Sequence, residues 1–406
     1  MKSTHWLSTL CALTIALAAC NSEPKKTADT SEAKPAELPA PPPAAKPEIY
    51  LYATVYDAML LREQPDQKAK IVEKLPFGEF LEGTGEQSAN KVEANLGGVT
   101  WTEPFVKATH ATPDQKSGWI FGGGVQAVYA GPRSTAPDLG KLTQFTMLLK
   151  TLNVKKLESG AKAWAFVKAN FADAKGTTAD AAFILLERHL RRMEHEGNFY
   201  KLTESMADKF TPEQYDAVFN GTFDMGKTPM LKNIEAAGFR LATSEGMIFP
   251  VVDWRQLGAF FAEKVTPVTK NFIAQSTAES MKPEQSDGGI VIPLEEVADR
   301  AAFWEKFNAD HPYFVLGDVA LEHEHWGQLS LLAGANNSPA FDYGDVPTVN
   351  EDFKKVWAYT VQKYPDTKLG KAVKAFADLV AAEGGKRTPK VEAALKAAFD
   401  RYEATH

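Results

Sequence analysis

The sequence predicts a multidomain protein in which a small all-β barrel is followed by a mainly α-helical domain. Between residues 49 and 130, short runs rich in aromatic and β-branched residues are bounded by glycine and proline, as is typical of short strands. From residue 139 onward, apolar residues recur at three- and four-residue steps, the period of amphipathic helices. The chain of 406 residues is also longer than one ordinary core requires.

The N-terminal segment predicts a secretory signal. Lys2 precedes an apolar stretch over residues 6–17. A membrane-spanning helix needs about 20 apolar residues, so an uncleaved helix is the weaker interpretation. Residues 17–20 read Leu-Ala-Ala-Cys and resemble the lipobox of bacterial lipoproteins. The resemblance implies a signal peptide over residues 1–19, cleavage before Cys20, and attachment of diacylglycerol and a fatty acyl chain such as palmitate to that cysteine.

Cysteine usage excludes two classes of protein. The chain has 2 cysteines, Cys11 in the segment to be removed and Cys20 at the lipid, which excludes disulfide scaffolds and cysteine peptidases. Asn21 stands where many Gram-negative lipoproteins retained in the inner membrane carry aspartate. The resemblance therefore implies an outer-membrane protein that faces the periplasm, with the cell surface as the alternative location.

Residues 20–48 predict a tether behind the lipid. The segment is rich in alanine, proline, lysine and glutamate, with prolines at positions 39 and 41–43, and it cannot form a core. It serves either as a spacer that reaches the cell wall or as a generic tether. The formal net charge of -7 and the lack of a lysine and arginine cluster exclude nucleic acid as a partner. The lipid is the predicted membrane attachment.

Residues 49–130 predict a barrel of short strands. Residues 59–65 resemble the "LNVRxxP" opening of bacterial SH3 domains, residues 71–78 resemble their "VIGxLxxG", and residues 118–121 resemble the closing "GWV". This resemblance implies an SH3-like (SH3b-like) barrel that binds cell-wall peptides or a protein partner. Two departures are Leu61 after Leu60, where the family often has Asn and Val, and a lengthened loop over residues 83–117.

Four aromatic side chains of this region are candidate ligand contacts, with core packing as the alternative. Aromatic rings with a polar tip serve recognition well, because they combine an apolar face with a hydrogen-bonding group. The candidates are Tyr52, Tyr56, Trp101 and Trp119.

Residues 131–138 predict a linker of turn-forming residues, and residues 139–406 predict the mainly α-helical domain. Thr211, followed by Pro212 and Gln214, predicts a helix start, and so does Thr348, followed by Glu351. Two extended passages, residues 246–253 and 289–293, interrupt the helices. The residues that recur at the helical period are Leu142, Phe145, Leu149, Leu152, Phe183, Leu186, Leu190, Met193, Leu294, Val297, Ala301, Trp304, Val391, Leu395 and Phe399.

The segment Glu322, His323, Glu324 and His325 carries nitrogen and oxygen ligands suited to zinc. On a helix, residues two apart point in different directions. His323 and His325 therefore cannot share a metal, whereas Glu322 and His325 could. Because His323 lies on an apolar stripe, a hydrogen-bonded core histidine is the alternative, and no metal is predicted.

Arg188, Arg192 and His195 share one predicted helical face, with Glu187 and Glu194 beside them. Such a face suits an anion or a carboxylate. The alternative is a solvated face with internal ion pairs.

Glu245 and Asp253 flank an apolar passage and are candidates for general acid and base work. The sequence contains no G-x-S-x-G, H-E-x-x-H or P-loop pattern. The prediction is a lipid-anchored cell-envelope protein with a non-catalytic binding role and no cofactor, whose SH3-like domain contacts peptidoglycan or an envelope protein. The alternative is a wall-active or metal-dependent hydrolase with a catalytic helical domain.

Overall fold

The computed structural model of this chain describes residues 44–207, 210–244 and 246–403. Cys20, most of the predicted tether and Glu245 lie outside the described residues. Within the described part, an antiparallel sheet precedes a mainly helical region, which confirms the predicted order of the two classes of structure.

The N-terminal region is one sheet of seven antiparallel strands in the order β3-β2-β6-β5-β4-β1-β7. The sheet is open, with β3 and β7 at its edges, whereas the sequence predicts a barrel. The strands are β1 (Ile49–Thr54), β2 (Met59–Arg62), β3 (Ile71–Leu75), β4 (Phe80–Leu96), β5 (Val99–His110), β6 (Ser117–Phe121) and β7 (Val125–Gly131).

Most of the segment treated above as a lengthened loop is a long β-hairpin formed by β4 and β5. Its turn contains Gly97 and Gly98, whose φ angles of 61° and 89° suit the two-residue turns that match the twist of paired strands. Many side chains of β4 beyond Gly83 are exposed. Alternation of exposed and partly buried residues, by which a strand is recognised in sequence, is confined to residues 91–96 next to the turn.

Thirteen α-helices follow in the described part of the chain, where none is long and apolar enough to cross a bilayer. They are α1 (Leu139–Thr151), α2 (Glu158–Asn170), α3 (Thr177–Glu196), α4 (Tyr200–Ala207), α5 (Pro212–Phe219), α6 (Pro229–Ala236), α7 (Trp254–Phe261), α8 (Pro267–Met281), α9 (Leu294–Asp310), α10 (Gly317–Ala333), α11 (Glu351–Lys363), α12 (Lys368–Ala382) and α13 (Pro389–Glu403).

Three short antiparallel ribbons interrupt the helices. They pair β8 (Phe239–Ser244) with β9 (Met247–Val252), β10 (Gln285–Ser286) with β11 (Gly289–Ile290), and β12 (Gly334–Ala335) with β13 (Ser338–Pro339). The two predicted extended passages contain β9 and β11.

The predicted helix starts have different outcomes. Thr211 caps α5 in a complete capping box with Gln214, as predicted. Helix α11 instead begins after Asn350, whose side chain accepts a hydrogen bond from the backbone of Asp352, so the prediction of Thr348 as the cap is wrong. Thr348 forms a β-bridge with Lys386, a long-range contact that a local cap pattern does not reveal.

The sheet and the helices share a hydrophobic core. One core joins buried residues of β1, β4 and β7 to those of α1–α3 and α5–α10, and a second core joins α9–α13. A third lies within the sheet and contains Leu61 and Phe105. Helices α9 and α10 contribute to both of the first two cores, so the space between them and α3 is enclosed by packed elements.

Candidate functional site

A cavity of about 330 Å³ lies among α3, α8, α9 and α10, with the end of β9 at one side. Its walls carry many charged side chains. Five glutamates line it with two arginines, one histidine and three tryptophans: Glu187, Glu194, Glu279, Glu284, Glu322, Arg191, Arg300, His323, Trp254, Trp304 and Trp326.

Glu187 is the most deeply buried of these carboxylates, with 2% of its surface exposed. Its Oε1 accepts a hydrogen bond from Arg191 Nε at 2.8 Å, an i,i+4 pair along α3. Its buried Oε2 has no hydrogen-bond partner within the described residues, and Arg188 Nε lies 3.8 Å away. Buried polar atoms are nearly always hydrogen-bonded, whereas this oxygen has an ion pair with Arg188 but no hydrogen bond.

Glu194 lies two turns further along α3 and also faces the cavity. Burial raises its pKa to about 7, although the positive charge of Arg191 lowers it. At neutral pH the protonated and the ionised forms of this carboxyl group are therefore both populated. Glu194 also lines a second cavity of about 380 Å³, and both cavities share Val252, Trp254 and Ser280 as well.

Glu279, Trp304 and His323 form a connected group on another wall. Trp304 Nε1 donates a hydrogen bond to Glu279 Oε1 at 2.8 Å, and His323 Nδ1 lies 3.3 Å from Glu279 Oε2. The rings of Trp304 and His323 are stacked with centroids 4.7 Å apart. Burial lowers the pKa of His323 to about 4, with further lowering by the charges of Arg191 and Arg300, so the imidazole is neutral at pH 7.

Glu284 and Ser276 contribute two more unpaired atoms. Glu284 Oε1 and Ser276 Oγ are buried and have no hydrogen-bond partner in the described part of the chain, and burial raises the pKa of Glu284. Arg300 also lines the cavity, but its Nη2 already has two acceptors. It donates a hydrogen bond to Glu296 Oε1 at 2.6 Å and another to the Lys282 carbonyl oxygen at 2.9 Å.

The structure separates the candidate metal ligands. Glu322 and His323 line the charged cavity, whereas His325 lines a different cavity of about 550 Å³ beside Lys368 and Arg401. Across the described ranges, no three His, Cys, Asp or Glu side chains are grouped so as to hold a metal ion.

The predicted anion-binding arginines are held in ion pairs. Arg188 Nη2 lies 2.8 Å from Asp318 Oδ2, and Arg192 Nε lies 2.9 Å from Glu196 Oε1. His195 is exposed.

Asp253 has a helix-capping role. It is 4% exposed, and its Oδ1 accepts a hydrogen bond from the Arg255 backbone at the start of α7. Its two oxygens also bind the Arg255 guanidinium, at 3.0 Å and 3.1 Å. Its proposed acid-base partner, Glu245, lies outside the described residues.

The four aromatic candidates of the sheet differ in access. Tyr52 and Tyr56 are buried, with 6% and 8% of their surfaces exposed. Trp101 and Trp119 are half-buried, and Lys107 Nζ lies 5.6 Å from the ring centroid of Trp119. Of the four candidates, only the two tryptophans therefore expose an appreciable part of their surface to solvent.

Several residues of the charged cavity had no role in the sequence analysis. Glu279, Glu284 and Arg300 belong to this group, as do Trp254 and Trp326. One signal was available for Arg300, which lies on α9 among Val297, Ala301 and Trp304 and so places a charge on an apolar stripe.

Comparison of the chain with protein-family models, with curated proteins and with solved structures finds no match.

Proposed function

We propose that this chain is a lipid-anchored protein of the bacterial cell envelope with a binding role, and that its helical region takes up a small polar ligand in the charged cavity. The observation that carries the ligand proposal is the Oε2 of Glu187, which is buried in the cavity wall and has no hydrogen-bond partner among the described residues. A buried polar group without a hydrogen bond costs about 1–3 kcal/mol and more when charged. A ligand that donates to this oxygen would remove that cost.

The anchor and the sheet form the other half of the proposal. The lipobox resemblance at Cys20 supports an outer-membrane lipoprotein, and the proline-rich segment after it supports a spacer. Strand β2 pairs with both β3 and β6, so the three segments that resemble SH3 motifs lie side by side. This adjacency supports an SH3-like binding module for peptidoglycan or an envelope protein.

The ligand proposal is tested on the full chain purified in detergent. Ligand-observed NMR with a panel of amines, zwitterions, sugars and anions should detect at least one binder. The variant Ser276→Leu, which places a larger side chain in the cavity wall, should lose that binding. Ala274→Leu adds the same side chain at an exposed position of α8 and should retain it. Equal binding by both variants would contradict a ligand site in this cavity.

The envelope proposal has separate tests. Cells fed radioactive palmitate should label the full chain, and Cys20→Ala should remove the label. The purified full chain should sediment with insoluble peptidoglycan, and Trp119→Ala should weaken that association. A chain that sediments equally with and without Trp119 would redirect the search toward protein partners or another part of the sheet.

A wall-active hydrolase is the second candidate, and the pKa of Glu194 favours it. General acid and base groups work best with a pKa near the working pH, and that of Glu194 is raised to about 7. The full chain would then release soluble fragments from isolated peptidoglycan, and Glu194→Gln would abolish the release while Glu196→Gln would not. No release by the unmodified chain would leave the binding role.

A further inference from the structure

We propose that the ligand of the charged cavity is a small organic cation, such as a molecule with one or two primary amino groups. This inference rests on the proposed ligand-binding function and names the ligand class. It is carried by the charge of the cavity walls, by the unpaired oxygens and by the aromatic lining.

Carboxyl groups outnumber guanidinium groups in the walls. Five glutamates line the cavity with two arginines, and the histidine is neutral at pH 7. Arg191 is already bound by Glu187, and Arg300 by Glu296 outside the lining set. Burial raises the pKa of Glu194 to about 7 and also raises the pKa values of Glu279 and Glu284, and a bound cation would favour the ionised forms of these groups.

Two buried oxygens of the walls lack a hydrogen-bond partner, and the carboxylate oxygen of this pair requires a donor. Glu187 is 2% exposed and Ser276 is 5% exposed, and both line the cavity with an oxygen that has no hydrogen-bond partner among the described residues. A carboxylate oxygen only accepts hydrogen bonds when ionised, whereas an ammonium group only donates them. An ammonium group placed beside Glu187 Oε2 would thus satisfy the carboxylate directly.

The lining favours an organic cation over a metal ion. Trp254, Trp304 and Trp326 all contribute to the walls, and indole rings attract organic cations while they cover hydrocarbon. Glu279 is poorly placed to bind a metal ion, because its Oε1 already accepts hydrogen bonds from Gln275 and Trp304. A volume of about 330 Å³ lies at the small end of ligand pockets and suits a short aliphatic amine.

Binding of a cation would also release protons. The carboxyl group of Glu194 faces Glu187 and Arg191 from its own helix and Arg240 from β8, and it accepts a hydrogen bond from the Val252 backbone of β9. A bound cation favours the ionised form of a nearby carboxyl group. Affinity should therefore rise as the pH increases through about 7, with proton release on binding.

The probe is 1,5-diaminopentane, titrated calorimetrically into the full chain in detergent at pH 6, 7 and 8. Measurement at pH 7 in two buffers of different ionisation enthalpy gives the number of protons released. We expect binding that tightens with pH and releases protons. Glu187→Gln should weaken binding at least tenfold, whereas Glu196→Gln should change it less than twofold. The two variants are matched, because both glutamates lie on α3 and pair with an arginine four residues away.

Glu194→Gln is the second variant if Glu187→Gln fails to fold, and it should reduce the proton release. The neutral analogue 1,5-pentanediol should not bind. If the diol, a sugar or an anion from the NMR panel binds the cavity and the diamine does not, the cation inference is wrong and the proposed ligand-binding function stands. If no member of the panel binds, both are wrong.

Discussion

The guanidinium group of Arg192 lies over the ring of Tyr56, with its central carbon 4.8 Å from the ring centroid. The first residue belongs to α3 and the second follows β1, so the contact joins the helical region to the sheet. Arg192 Nη1 also donates a hydrogen bond to the Val55 carbonyl oxygen at 3.3 Å. The helix that contributes Glu187 and Glu194 to the charged cavity is thus fixed on its other side by the sheet.

Arg192→Ala should lower the free energy of unfolding by about 1–2 kcal/mol, because it removes a partly buried cation-π contact and a hydrogen bond. Urea denaturation of the full chain measures the change. Lys354→Ala is the control, since its pair with Glu351 is exposed and should contribute less than about 1 kcal/mol. Equal losses in both variants would show that the contact with Tyr56 adds nothing to stability.

Gly78→Ala should destabilise the protein more than Gly98→Ala. Both glycines have positive φ, 85° and 89°, so both substitutions strain the backbone by about 1–2 kcal/mol. A Cβ at Gly78 would also lie 2.9 Å from Thr146 of α1, whereas a Cβ at Gly98 would meet nothing within 4 Å. The difference in unfolding free energy between the two variants isolates this close approach of the sheet to the helix. A difference near zero would mean that α1 moves aside freely.

Stability should fall as the pH decreases from about 6.5 to 4, in part because of His189. This side chain is 6% exposed, and burial together with the charge of Arg192 lowers its pKa to about 4. In the unfolded chain the pKa of His189 is near 6.5. The unfolded state therefore binds a proton in this pH range, whereas the folded state does not. His189→Gln should flatten the dependence of the unfolding free energy on pH. His195→Gln, an exposed change on the same helix, should leave the slope unaltered.

Glu194 should have the opposite effect on the pH dependence of stability, because it destabilises the folded protein as the pH rises. Its folded pKa of about 7 exceeds the unfolded value near 4.3, so the folded protein retains a proton that the unfolded chain loses. Its contribution to stability is therefore complete below about pH 4.3 and is lost as the pH rises to 7, on the order of 3 kcal/mol. Glu194→Gln should remove this loss in denaturation series at pH 5, 6 and 7. A Glu194→Gln series parallel to the unmodified protein would contradict the raised pKa.

The apolar stripe of α3 was predictable because its spacing is local. Phe183, Leu186, Leu190 and Met193 recur with the helical period, and all four are fully buried. Glu187 lies on the same buried side, and a charge at such a position is a local sign of the cavity, as it is for Arg300 on α9. The local pattern places Glu187 only beside an arginine face, because it does not show which element packs against that residue.

The hairpin of β4 and β5 carries a local signal that the lengthened-loop interpretation did not use. Val92, Ala94 and Leu96 pack against the core of the sheet and alternate with exposed residues, and Gly97 and Gly98 form the turn. The pairing between the two strands is irregular nearer the base of the hairpin, because the register shifts between Gly83 and Lys91. The extent of the pairing is therefore visible only in the structure.

The sequence by itself determined the order of a β region and a helical region, the position of many helices and the side of α3 that is buried, since these follow from local periodicity and turn chemistry. Only the tertiary structure decided that Glu187 and Glu194 share a cavity with Glu279 and His323, and that Arg188 pairs with Asp318 of another helix. The physical reason is that the spacing of apolar residues along a helix determines which face is buried. The residues that pack against that face come from elements distant in the sequence, and the local spacing carries no information about them.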